Sequence, residues 1–186
     1  MLPIMARSQP SPFDVAGLFD QYAAELRQYC ASRIGPTIAD DIVAQTFLIV
    51  YERRHRLESR PPRAWLYGIA TNLLRRHRRT EVRGLRALAR TGHDPYTLDI
   101  ADSAVARVDA TALNRRLATV LAALPARQRD VLLLYAVAEL DYAEIAASLD
   151  IPPGSVRSAL HRARAKVRAA IGDQIPGVEP VAGWAQ

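Results

Sequence analysis

Apolar residues recur at steps of three and four along nearly the whole 186-residue chain, and no segment alternates apolar with polar residues as a half-buried strand requires. The expected fold is all-α. Val15, Leu18, Phe19, Tyr22, Leu26 and Tyr29 form one helical stripe that stops at Gly35-Pro36. Thr37, with Asp40 three residues later, resembles a capping arrangement that opens a second stripe of Ile38, Ile42, Val43, Phe47 and Val50, reaching about Arg54. After Pro61-Pro62 a third helix carries Trp65, Leu66, Ile69, Ala70, Leu73 and Leu74 and runs into the basic run Arg75 to Arg79. In the second half, Leu113 to Leu124, Arg127 to Ala138, Tyr142 to Leu149 and a helix opened by a Ser155 cap complete the pattern.

Between these halves, Thr91 to Ala112 holds Gly92, Pro95 and four Asp with few large apolar residues, although Ala101 to Asp109 can form a weak helix. This reads as an acidic flexible linker over 91–112 between two small helical domains, 13–90 and 113–172. A disordered leader (1–12) and a flexible tail (173–186) are expected at the ends. The longest apolar run, Val131 to Ala138, is far too short to cross a bilayer, and the first dozen residues lack an apolar signal-peptide core. No membrane insertion and a cytoplasmic location are therefore expected. The single cysteine, Cys30, can form neither an internal disulfide nor a thiolate zinc site and reads as a small core residue.

The chain carries 25 basic against 19 acidic residues, and Lys166 is its one lysine. The charge is unevenly placed: residues 1–90 are net +7, 91–112 net −3, 113–172 net +4 and 173–186 net −2. Two basic blocks joined by an acidic stretch point to two modules that each meet a polyanion. In the second block, Asp141 to Arg168 gives a short helix with the small pair Ala146-Ala147, a tight turn at Asp150 to Gly154 and a helix carrying Arg157, His161, Arg164 and Arg168 on one face. That is a helix-turn-helix pattern, whose second helix enters a major groove. An Arg-rich solvated helix in a small bundle is the competing reading. In the first block, Trp65 falls on the apolar stripe and is expected in the core, whereas Tyr67 is the better candidate for exposure and base stacking. Asp40, Asp41 and Gln45 form a polar strip suited to a protein partner.

Two segments, in this order, resemble the two domains of extracytoplasmic-function sigma factors of bacterial RNA polymerase. Asp41-Ile42-Val43-Ala44-Gln45-Thr46-Phe47 resembles the region 2.2 signature, and Arg63 to Asn72 is similar to the segment that leads into −10 recognition. Leu124-Pro125 to Arg129, and Gly154-Ser155-Val156-Arg157-Ser158 to Arg164, resemble region 4. The resemblance implies that Asp41, Gln45, Thr46, Phe47 and Val50 bind the clamp helices of the core polymerase, whose flap would meet the second domain. It implies that the loop from His55 to Pro62 captures a base flipped from the non-template strand. With that loop, His55, Arg56, Arg60, Arg63, Tyr67, Asn72, Arg75, Arg76, Arg78 and Arg79 would engage the −10 element. Ser155, Arg157, Ser158, His161, Arg162, Arg164 and Lys166 would read −35. An anti-sigma factor is the further expected partner.

The sequence departs from the family pattern at Ala44, Gln45, Thr71, Asp150 and Ala159; Ala159 removes one −35 contact, and Asp150 tolerates the left-handed turn geometry that Gly usually supplies. Two other readings compete. One is a stand-alone helix-turn-helix regulator that uses only residues 113–172. The other is a carboxylate metal enzyme on Asp40, Asp41 and Glu52, made awkward because adjacent helical residues point about 100° apart. No catalytic group, metal or cofactor is expected.

Overall fold

The computed structural model of the chain describes residues 14–54, 61–92 and 104–171, with side chains in the last segment from 111 onward. Among these residues there are eight helices and no strand: α1 (Val15–Ile34), α2 (Pro36–Glu52), α3 (Pro62–Arg76), α4 (Arg78–Thr91), α5 (Ala104–Ala123), α6 (Ala126–Ala136), α7 (Tyr142–Leu149) and α8 (Pro153–Ile171). The all-α expectation is met. The leader, the loop 55–60 and the tail lie outside the described residues.

Local chemistry sets most of the boundaries. Asp14 caps α1, its carboxylate accepting the Ala16 amide at 3.0 Å. Gly35, at φ 88°, both closes α1 and precedes α2, a backbone conformation that a side chain would strain. The capping arrangement read at Thr37 is not formed. Proline at the first position of α2 needs no N–H partner and has the helical φ already, so the helix begins two residues earlier than a Thr37 cap would allow, at Pro36, with no side-chain cap. The same preference moves the start of α8 to Pro153, where Ser155 is an internal residue whose amide donates to the Pro152 carbonyl at 2.8 Å; Ser155 is not the cap. The third helix stops at Arg76 instead of running through Arg79. His77 turns the backbone there (φ −94°, ψ 12°), its carbonyl accepts the Thr80 and Glu81 amides, and α4 starts afresh. Helix α5 begins at Ala104, inside the stretch read as linker and within the span allowed for a weak helix.

In the first half, α1, α2 and α3 pack on one another around Leu26, Tyr29, Ile42, Phe47, Val50, Leu66 and Leu74. In the second, α8 packs on α5, α6 and α7 around Leu134, Ile145, Val156 and Leu160. These two sets form one continuous buried cluster, because α3 also packs on α7; α4 packs on α5 beside it. The α3–α7 crossing is close enough that a Cβ on Gly68 would lie 2.4 Å from the Ser148 carbonyl oxygen. Glycine is required there by backbone proximity. Cys30 is buried, as expected, and burial pushes its thiol pKa up to about 12.

Candidate nucleic-acid interface

Helix α7 starts with a complete capping box: the Asp141 carboxylate accepts the Glu144 amide at 2.8 Å, and the Glu144 carboxylate accepts the Asp141 amide at 2.9 Å. It ends at Asp150, which adopts the left-handed conformation (φ 54°, ψ 53°). Two prolines follow, and α8 leaves at an angle set by the buried Ile145, Ala146, Val156 and Leu160. The helix-turn-helix is therefore formed by cap, turn and core together. On α8, Val156, Ala159, Leu160 and Ala163 face the core, while Arg157, Ser158, His161, Arg162 and Lys166 are exposed on the other side. Ala159 is buried, so the departure at this position falls on the packed face. Ser155 is half-buried. Arg164 is partly withdrawn, its guanidinium lying 4.4 Å from the centre of the Tyr135 ring, which in turn stacks on Tyr142.

On α2 the expected partner-binding set divides. Asp41 and Gln45 are exposed, but Thr46, Phe47 and Val50 are buried. The Thr46 hydroxyl donates to the Ile42 carbonyl at 2.7 Å, and Phe47 meets Phe19 edge-on at 4.9 Å between ring centres. The reason is the helical period: positions 46, 47 and 50 share the stripe of Ile42 and Val43 and must face α1 and α3. In their place the exposed side of α2 presents Leu48 and Tyr51, 57% and 55% exposed, with Phe19 of α1 nearby at 48%. Two large apolar side chains among Asp41, Gln45 and Glu52 were the legible signal for this surface. Asp40 is held by Arg27 at 2.6 Å, and among the described residues no three His, Cys, Asp or Glu side chains gather as a metal would require.

Of the ten −10 candidates, His55, Arg56 and Arg60 lie outside the described residues. Tyr67, expected to be exposed, is 1% exposed: it packs edge-on against Tyr29, and burial raises its phenol pKa. Trp65 is half-buried against the core, as its position on the stripe implied. Thr71 is buried and its hydroxyl meets the Tyr29 hydroxyl at 3.0 Å, so the departure at this position falls on the packed side of α3. Asn72, Arg75, Arg76, Arg78 and Arg79 are exposed. Two of the candidates are held by the second half of the chain. Arg63 donates to the Ala138 carbonyl at 2.8 Å and lies 3.6 Å from Glu144, and Arg75 donates to Asp130 at 3.1 Å and to Asn72 at 2.9 Å.

Behind Arg75 sits a group of charges that local sequence patterns do not reveal. Arg33 uses all three guanidinium nitrogens at 2.7 Å: Nε to Glu81, Nη2 to Asp130 and Nη1 to the Tyr29 hydroxyl. Arg129 reaches the other Glu81 oxygen at 3.3 Å and caps α5 through the Leu121 and Leu124 carbonyls. All four charged side chains are buried. Burial, the largest single influence, disfavours the charge on Arg33, and Tyr29, Glu81 and Asp130 together more than offset it, so its pKa stands well above the ordinary value.

Two all-helical units, one presenting a mixed apolar-acidic helix and basic side chains and the other a basic helix-turn-helix, define the architecture of a two-domain transcription factor. The family profiles agree with this division: Sigma-70 region 2 matches residues 18–84 and Sigma-70 region 4 matches residues 114–167. The chain is 32% identical over 148 residues to the ECF RNA polymerase sigma factor SigD of Mycobacterium tuberculosis, covering 76% of this chain and 69% of that one. It is 28% identical over 166 residues to the ECF RNA polymerase sigma factor SigW of Bacillus subtilis, covering 85% and 89%. In fold it is similar to the sigma factor RpoE solved with the anti-sigma factor NepR from Bartonella quintana (TM-score 0.60, 19% identity, covering 87% of this chain and 99% of that one). It is likewise similar to CnrH solved with the cytosolic domain of CnrY (TM-score 0.54, 27% identity, 83% and 85%). The chain belongs to the ECF sigma factors of RNA polymerase. Among the described residues no helix is long and apolar enough to cross a membrane.

Proposed function

We propose that the chain directs promoter-specific initiation by reading −35 DNA with α8 and −10 DNA with α3, the α3–α4 junction and the 55–62 loop, while the exposed side of α2 docks on the core polymerase. The working modules are 13–90 and 113–172. The observation that carries the reading is the two-sidedness of α8: its apolar side is fixed in the core, and Arg157, Ser158, His161 and Arg162 project from the other side of a helix-turn-helix. An arginine near the start of such a helix reaches guanine O6 and N7, while those farther along meet phosphates. Arg76, Arg78 and Arg79 supply a second phosphate-binding edge. Leu48 and Tyr51, flanked by Asp41 and Gln45, give α2 an apolar centre with a polar rim, the composition of a protein-docking patch. None of these roles requires bond chemistry in the chain itself. By its likeness to sigma factors solved with NepR and with CnrY, the chain is also proposed to be held by an anti-sigma factor.

The test separates the two activities. Arg157→Ala with Arg162→Ala is expected to abolish run-off transcription from a cognate promoter while leaving co-elution with sigma-free core polymerase intact. Asp41→Ala with Leu48→Ala and Tyr51→Ala is expected to lose co-elution while circular dichroism stays helical. Failure of the folded wild type to co-elute with core polymerase would overturn the reading in favour of a stand-alone DNA binder.

A further inference from the structure

We propose that α4 is a rail for duplex DNA, with Arg79, Arg83, Arg86 and Arg90 lying along the phosphates of the promoter spacer on the upstream side of the −10 element. This rests on the proposed −10 reading by α3. All four arginines are exposed. At 100° per residue they fall within a strip about 60° wide and, at 1.5 Å per residue, about 16 Å long. Glu81 points to the opposite side of the helix, where it is buried and paired with Arg33 of α1 at 2.7 Å, so the first module itself turns the strip outward. At the far end Gly92 closes the helix in the left-handed conformation, its amide donating to the Leu88 carbonyl at 2.7 Å.

Within the chain this strip is uncompensated. Arg79 with Arg83, and Arg86 with Arg90, are i, i+4 pairs of like charge, which weaken a helix. Among the described residues no carboxylate lies within ion-pair distance of any of the four, and the one acid of α4, Glu81, is on the buried side. The Arg83 Nε donates to the Arg79 carbonyl at 3.3 Å, which lays its guanidinium along the strip. A polyanion relieves repulsion that folding alone leaves in place. Two features select duplex DNA among polyanions. Helix α4 has no aromatic side chain on which unpaired bases could stack, so a single strand finds no platform there. The strip begins where the −10 candidates Arg75, Arg76, Arg78 and Arg79 end, and the chain beyond Arg90 leads to the module that carries the −35 helix, so the DNA between the two elements lies on its course. Such contacts to phosphates position the duplex without reading its sequence. The region 2 match stops at residue 84 and the region 4 match starts at 114, so Arg86 and Arg90 lie beyond both.

The test uses holoenzyme assembled from the full chain and core polymerase, with two fragments of a cognate promoter. Both carry the −10 element and lack −35; one begins at the −10 element, and the other adds a helical turn of upstream duplex of arbitrary sequence. Wild type is expected to bind the longer fragment more tightly, and raising salt from about 50 to 200 mM should shrink that advantage about 40-fold, the effect of three phosphate contacts. Arg83→Gln with Arg86→Gln and Arg90→Gln should bring binding of the longer fragment close to that of the shorter one and leave the shorter one bound as by wild type. The free variant should melt no lower than wild type, because Gln keeps the helix propensity and removes the repulsion. Wild type binding both fragments alike, a variant that keeps the preference or loses equally on both, or a variant that no longer co-elutes with core polymerase would overturn the proposal. Replacing the −10 bases in both fragments separates the two readings. If binding ignores that change while the longer fragment keeps its arginine-dependent advantage, the −10 reading falls and the rail stands.

Discussion

At the scale of single residues, Arg33 is the most consequential side chain in the molecule. It is 5% exposed, yet it carries a charge, and it is stable there because each guanidinium nitrogen has an oxygen at 2.7 Å. Taking one member from such a group leaves its partners charged and dry. Arg33→Met should therefore lower the unfolding free energy by about 3–5 kcal/mol, the range for breaking one side of a buried pair. Urea denaturation followed by circular dichroism measures it, and a loss below about 1 kcal/mol, the worth of an exposed pair, would show the cluster to be solvated. None of this was legible in the sequence. Arg33 belongs to no local motif, because its partners lie 48 and 97 positions away. The stripe residues Leu26, Ile42 and Phe47 announced their burial through local spacing, which needs no knowledge of what packs on them. Tyr67 was misread for the same reason that Arg33 was missed: what covers it comes from elsewhere in the chain.

At the scale of elements, the helix-turn-helix was readable because its signals are local and independent. Small residues at Ala146 and Ala147, a turn at Asp150 and Pro152-Pro153, and a basic face on α8 each stand in the sequence, and the capping box at Asp141 adds a fourth that the pattern at Thr37 had wrongly suggested for α2. Prolines explain the errors at helix starts: both α2 and α8 begin on one, ahead of the polar side chains that were read as caps. The turn itself makes a sharp prediction. Asp150 sits at φ 54°, a region open to Asp and Gly and hostile to β-branched side chains. Asp150→Gly should leave thermal stability within about 0.5 kcal/mol of wild type, whereas Asp150→Val should cost about 1–3 kcal/mol and weaken binding to −35 duplex with it. Equal melting temperatures for the two variants would mean that the turn is not held in the left-handed conformation.

At the scale of the whole molecule, the buried cluster that runs from Leu26 through Leu66 and Tyr67 to Leu140, Ile145 and Val156 joins two family domains into one continuous core. The sequence described two basic blocks with an acidic connector, and that description holds for composition; it could not say that the blocks rest on each other, because the α3–α7 and α4–α5 contacts are long-range and individually unremarkable. Their thermodynamic consequence can be measured. Modules that share apolar surface and buried ion pairs cannot unfold separately without exposing both, so wild type should melt in a single calorimetric transition whose measured enthalpy equals the van't Hoff enthalpy. Gly68→Ala, which forces α7 away from α3 and alters neither module's own core, should split that transition into two or raise the enthalpy ratio well above one. Two transitions in wild type at low salt would show that the modules fold alone and that the shared surface contributes too little to couple them. A single transition in both proteins would show instead that the α3–α7 crossing relaxes locally around the added methyl group, and that the charged cluster, not the close helix contact, sets the cooperativity of the chain.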